Sequence, residues 1–129
     1  MADAGPALVT ADARTEVGRL LDAARAALAG TGTTGTLPQR RRARAAAVVA
    51  RAALELAVDA RLVEHGLDLH HATMRSRLIC LSAVVDATAG DAAAVAWAGL
   101  SSGCHQHAYE LSPTWAEISH LIGLVEAVL

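Results

Sequence analysis

Hydrophobic positions along this chain recur at three- and four-residue steps, the spacing of one face of a helix, and nowhere show convincing strand alternation. Five helical segments follow from that pattern. The first spans about Ala11 to Ala29, with Thr10 as its N-cap and Val17, Leu20, Leu21, Ala24 and Leu28 on one side. Gly30 opens a Gly- and Thr-rich stretch ending at Pro38, with no bulky residue before Leu37, which reads as a mobile linker. The second segment, about Gln39 to His65, is stopped by Gly66. Ala46, Val49, Ala50, Ala53, Leu56, Ala57 and Ala60 give it a broad apolar side. Arg44, Arg51, Glu55 and Asp59 form a charged stripe, and Arg51 and Glu55 have the spacing of a surface ion pair.

The third segment, near Thr73 to Ala87, sets Met74, Leu78, Leu81 and Val85 on one face. Thr88 to Gly90 predicts a short turn, after which Asp91 caps a fourth helix that aligns Ala94, Trp97, Ser101, Cys104 and Ala108. The fifth carries two start signals. Ser112 and Pro113 read as N-cap and first helical residue, while Thr114 and Glu117 have capping-box spacing. From Trp115 through Ile118, Leu121, Ile122 and Val125 to Leu129 its apolar face is continuous, so it must dock. The expected fold is an all-α, single-domain helical bundle. Residues 1–38 form an N-terminal helix plus linker, and residues 39–129 the bundle proper.

Composition sharpens this reading. Hydrophobic residues make up 53% of the 129 residues but aromatic ones only 2%, so the core must be built of Ala, Leu and Val. Such a core needs closely approaching backbones, and Ala-rich helices supply them. A net charge of −2 gives no global pull toward nucleic acid or an anionic membrane. Met1 to Thr10 lacks the basic and apolar regions of a signal peptide, and the run Ala92 to Leu100 is far below the roughly 20 residues of a membrane span. Two Cys without a secretory signal fit a reducing compartment, so a cytoplasmic protein is expected.

Candidate chemistry concentrates between the last two helices, where Cys104, His105, His107, Tyr109 and Glu110 fall within one short stretch. If the fourth helix runs through it, His105 and Tyr109 share a face and His107 does not; if the helix breaks at Gly103, both His can face one cleft. Cys104, His105 and His107, with Cys80 or the His70–His71 pair, supply the ligand types for Zn²⁺ but lack a recognised zinc spacing. A Cys104–histidine nucleophilic dyad is the other chemical reading. Against both stands the simpler one, that Cys80 and Cys104 are small apolar residues on helix faces. Arg40, Arg41, Arg42 and Arg44 place cations at a helix start, where the macrodipole disfavours them. Either they are solvated, or an anion such as phosphate, RNA or an acidic protein offsets them.

The segment from Leu100 to Leu111, with His107 and Tyr109 followed by a turn and a short docked helix, resembles the C-terminal signature of the HEPN superfamily. The likeness extends over about Arg44 to Leu129 and includes the Arg51 to Glu55 stretch and the helix carrying Arg75 and Arg77. HEPN proteins are small helical bundles of prokaryotic toxin, defence and CRISPR-linked systems. The resemblance implies a homodimer with a metal-independent endoribonuclease site across the dimer. In that site an Arg holds the scissile phosphate and a His assists proton transfer at the 2′-hydroxyl. His107 matches the family histidine and Tyr109 its tyrosine; the arginine position falls on Ser102 and the following Asn on Gly103. Ser102 cannot stabilise a developing phosphoryl charge. The candidate catalytic set is therefore His107, Tyr109 and His105, with Arg75 or Arg77 as replacement cation, and no cofactor.

The expected function is a HEPN-like, RNA- or nucleotide-associated module of a bacterial defence or toxin–antitoxin-type system, partnered by a second copy and by an antitoxin or nucleotidyltransferase. Whether it is a ribonuclease is left open by the missing arginine. The alternatives are a non-catalytic dimerisation or adaptor protein, and a small metal-binding protein using Cys104, His105 and His107.

Overall fold

The structure, a computed structural model, describes residues 6–32, 35–104 and 113–129. Five α-helices carry it: α1 Pro6–Ala29, α2 Gln39–Glu64, α3 Met74–Cys80, α4 Ala87–Cys104 and α5 Trp115–Val128. There is no strand among the described residues. None of the described helices is long and apolar enough to cross a membrane.

The long helix α2 is the axis of the bundle. Ala43, Ala46, Ala47, Ala50, Ala53, Leu54, Ala57, Val58, Ala60 and Leu62 are all buried, so α2 is apolar around most of its circumference. It packs against α1 on one side and against α4 and α5 on others. Alanine makes this geometry possible, because a methyl side chain lets neighbouring backbones approach closely. From α1 come Val17, Leu21, Ala24 and Leu28, from α4 Ala93, Ala96 and Leu100, and from α5 Ile118, Ile122, Val125 and Val128.

Three helix starts differ from the sequence reading. Helix α1 begins at Pro6, well before Thr10, which is buried within it and is not its cap. A proline fits the first turn of a helix because its missing N–H would have no partner there. Helix α4 begins at Ala87, not after Asp91. The Asp86 carboxylate accepts from the backbone N–H of Thr88 and Ala89, so the cap lies one turn earlier than expected and residues 88–90 are helical. For α5, Pro113 lies outside the helix: Thr114 is the N-cap, and Thr114 and Glu117 complete the capping box reciprocally. That box was legible from its spacing. The proline beside it was assigned two positions too far in.

Between α3 and α4 the chain does not stay α-helical. Residues Leu81–Val85 form one π-helical turn, closed by the Asp86 N–H donating to the Leu81 carbonyl. On this stretch Met74 and Leu81 are buried and Leu78 and Val85 pack partly against the core. Gly90 of α4 sits against the π turn so tightly that a Cβ there would lie 2.6 Å from Ser82 Cα. The face of α4 that enters the core is Ala89, Ala93, Ala96, Leu100 and Gly103. The expected line through Ala94, Trp97, Ser101 and Cys104 is instead the flank beside it, partly covered at Trp97, Ser101 and Cys104 and open at Ala94. Both lines have helical spacing, and the small residues won the interior because α2 leaves little room.

Polar contacts tie the C-terminal end of α5 to the rest. Arg61, mostly buried, donates to the Val128 carbonyl at 2.6 Å and lies near Glu64 and Asp86, while Arg14 bridges Glu64 and the Leu129 carbonyl. Cations at carbonyls that end a helix satisfy both their free acceptors and the negative end of the dipole.

Candidate functional site

The histidine-rich stretch begins where α4 ends. His105, His107, Tyr109 and Glu110 lie outside the described residues, as does Ala108. The helix does run unbroken through Gly103 to Cys104, so it does not break at the glycine. Gly103 is buried, and a Cβ there would meet Ala47 Cβ at 3.2 Å and Ile118 Cδ1 at 3.5 Å. Ser102, where the resemblance would put an arginine, is exposed, whereas the Ser101 hydroxyl oxygen is buried with no hydrogen-bond partner among the described residues.

The two arginines considered as replacement cations are not equivalent. Arg75 is exposed on α3. Arg77 is largely buried: its Nε donates to the Ala72 carbonyl at 2.9 Å, Nη2 to the His70 carbonyl at 2.9 Å, and Nη1 approaches Asp59 at 3.4 Å. Those bonds hold the loop before α3 onto the C-terminal half of α2. Burial raises the Asp59 carboxyl above its usual range, and Arg77 only partly opposes this. Asp59 lies fifteen positions along α2 from Arg44, about 22 Å of helix rise. Arg44 in turn donates through Nε to the Cys104 carbonyl at 3.2 Å. Within one chain, Arg77 is therefore anchored far from the point where the His105 stretch departs.

Other arginines are nearer. The helix carrying the basic run starts at Gln39, with Pro38 as an N-cap that offers no side-chain bond and no acid in the first turn. Arg40, Arg41 and Arg44 are exposed, and none has an ion pair with a described residue. Arg42 folds back against Gly30, a residue at φ 73°, with its Nε buried and without a hydrogen-bond partner among the described residues. An open groove of about 250 Å³ is lined by Gln39, Arg40, Pro113, Thr114 and Trp115, and half of Trp115 is exposed beside it. A second groove of about 290 Å³ is lined by Val48, Arg51, Ala52, Glu55 and Cys104. Cys104 and Pro113 thus both lie beside the N-terminal half of α2, Cys104 at Arg44 and Pro113 at Arg40. Sequence periodicity did not reveal this, because it says nothing about which helix ends meet.

Arg51 does not pair with Glu55. Its guanidinium carbon lies 4.3 Å from the centre of the Trp97 ring, a cation–π contact that binds α2 to α4. Of the metal candidates, His105 and His107 lie outside the described residues, and Cys80 and Cys104 are free and partly buried. His70 is bonded to Asp68, which the hydrogen bond holds below the usual carboxylate range, and its ring lies 3.8 Å from that of His71. Among the described residues no three His, Cys, Asp or Glu side chains are grouped to hold a metal ion. No family model matches this chain, and neither a curated protein nor a solved structure matches it.

Proposed function

We propose that this protein is a HEPN-like module that binds single-stranded RNA or a nucleotide without cleaving it, in a bacterial defence or toxin–antitoxin-type system. One observation carries the reading: the half-exposed Trp115 ring and the unpaired Arg40 share one open groove at the end of α2. An aromatic face accepts a base and a guanidinium accepts a phosphate, which is the pairing that single-stranded nucleic-acid sites use. Arg41 adds charge at the same helix start. The chemistry of cleavage is weaker. Ser102 supplies no cation to a phosphoryl transition state, and Arg77 is committed to Asp59 and two carbonyls.

The test is fluorescence anisotropy of a labelled mixed-sequence RNA without metal, followed by gel analysis of the same samples. Wild type is expected to bind, more weakly as salt rises, and to leave the RNA intact. Arg40→Ala and Trp115→Ala are each expected to weaken binding about ten-fold. Absence of binding at low salt removes the reading. Metal-free cleavage lost in both His107→Ala and Arg75→Ala would replace it with a nuclease.

A further inference from the structure

Arg51 and Glu55 stand one turn apart on α2, at the spacing where opposite charges normally join, yet they form no ion pair. The Arg51 guanidinium is drawn instead to Trp97 of α4, 4.3 Å from the ring centre. An arginine stacked on a ring gives the ring its face and keeps its N–H edge for an acceptor. Among the described residues that edge has no hydrogen-bond or ion-pair partner, and neither has the Glu55 carboxylate. Both side chains are partly buried.

Both also line the groove of about 290 Å³, whose remaining walls are Val48, Ala52 and Cys104. Apart from the two charges the lining is apolar or nearly so, with a half-exposed Val48, a methyl group at Ala52 and a small thiol at Cys104. The groove thus offers a donor fork, a carboxylate and an apolar wall, its two charges about 6 Å apart along the helix. Each feature selects part of a ligand. The fork takes a carboxylate bidentately, Glu55 takes an ammonium, and Val48 takes an apolar body. A purely anionic ligand would bring its charge beside Glu55, and a purely cationic one beside Arg51. Only a ligand that carries both charges close together satisfies both walls.

We infer that this groove binds a free α-amino acid with an apolar side chain, its carboxylate on Arg51, its ammonium on Glu55 and its side chain against Val48 and Ala52. The groove's volume falls just below the range of drug-sized ligand sites, in keeping with a single amino acid. It shares no residue with the Arg40–Trp115 groove, so amino-acid binding and RNA binding succeed or fail separately.

The probe is L-leucine, titrated into the full chain at about pH 7 and followed by ligand-observed NMR. Two analogues run beside it: leucinamide, which lacks the carboxylate, and N-acetyl-leucine, which lacks the ammonium. Leucine is expected to bind with a Kd of about 1 mM or tighter, and each analogue about ten-fold more weakly. Glu55→Gln should weaken leucine about ten-fold but make N-acetyl-leucine no weaker, since that analogue has no ammonium to lose. Circular dichroism confirms that the variant is folded, and the analogues test the wild type without any substitution. Cys104 locates the event. Its alkylation by iodoacetamide, read by mass spectrometry, should slow when leucine is bound, while Cys80, outside the groove, reacts at an unchanged rate. No binding at about 10 mM leucine, equal binding of all three ligands, or Cys104 alkylation unmoved by leucine would each overturn the inference.

Discussion

Replacing Gly90 by alanine should destabilise this protein, against the usual trend for helices. In a helix interior, glycine is less favourable than alanine by about 0.8–1 kcal/mol, so the exchange normally stabilises. At Gly90, however, the new Cβ would lie 2.6 Å from both Cα and Cβ of Ser82 and 2.9 Å from its backbone nitrogen. The obstacle is mainly backbone, held in the π turn Leu81–Val85, and it cannot rotate away as a side-chain tip can. Inserting a methyl group into a close-packed contact costs about 1–3 kcal/mol. Set against the propensity gain, the net loss is about 1 kcal/mol and at most about 2, or a few degrees in Tm for a domain of this size. The controls are Gly18→Ala and Gly123→Ala, whose added Cβ atoms would meet nothing within 4 Å. Both should stabilise by about 0.5–1 kcal/mol. Urea unfolding followed by circular dichroism at 222 nm measures all three. If Gly90→Ala stabilises as the controls do, then α4 does not need a glycine to lie against the π turn.

Two smaller predictions concern helix ends. Thr114→Ala removes the side chain that accepts from the Glu117 N–H and breaks the capping box of α5, for a loss of about 1 kcal/mol in urea unfolding. The hydrogen bonds from the Ala89 and Thr88 N–H groups, followed by Arg61, hold the Asp86 carboxyl below its unfolded value. Its contribution is therefore complete above the unfolded carboxyl pKa and is lost as pH falls through the lower folded one. Asp86→Ala should accordingly lower Tm at pH 7 and narrow its difference from wild type as the acid is titrated, whereas a constant difference down to the most acidic folded pH would refute the cap.

The number and order of helices were legible because burial here follows helical spacing closely, and Gly66 ends α2 in the left-handed conformation that a glycine stop implies. What periodicity could not decide was which of two adjacent apolar stripes on α4 goes inward. Ala94–Trp97–Ser101–Cys104 and Ala93–Ala96–Leu100–Gly103 are both helical lines, and the choice was made by the narrow space beside α2. Start positions slipped where a side chain earlier in the chain provided the cap, as Asp86 does for α4. The candidate site was half legible. Its residue types were visible in sequence, but the approach of Arg44 to Cys104 and of Arg40 to Pro113 and Trp115 depends on α2 meeting both α4 and α5, a long-range fact with no local signature.

The alanine lining of α2 also bears on how this domain stays ordered. An alanine has no rotamers to lose on folding, whereas a buried Leu or Ile gives up about 0.5–1 kcal/mol of side-chain freedom. An axis lined by Ala43, Ala46, Ala47, Ala50, Ala53 and Ala57 is thus assembled with little entropic opposition. It also has only one way to fill its space. A looser interior can answer a substitution by repacking flexible side chains; where an alanine lets two helix backbones approach closely, a longer side chain finds no room and the helices themselves must move. Tolerance to mutation along this axis is therefore set by how far whole helices can shift.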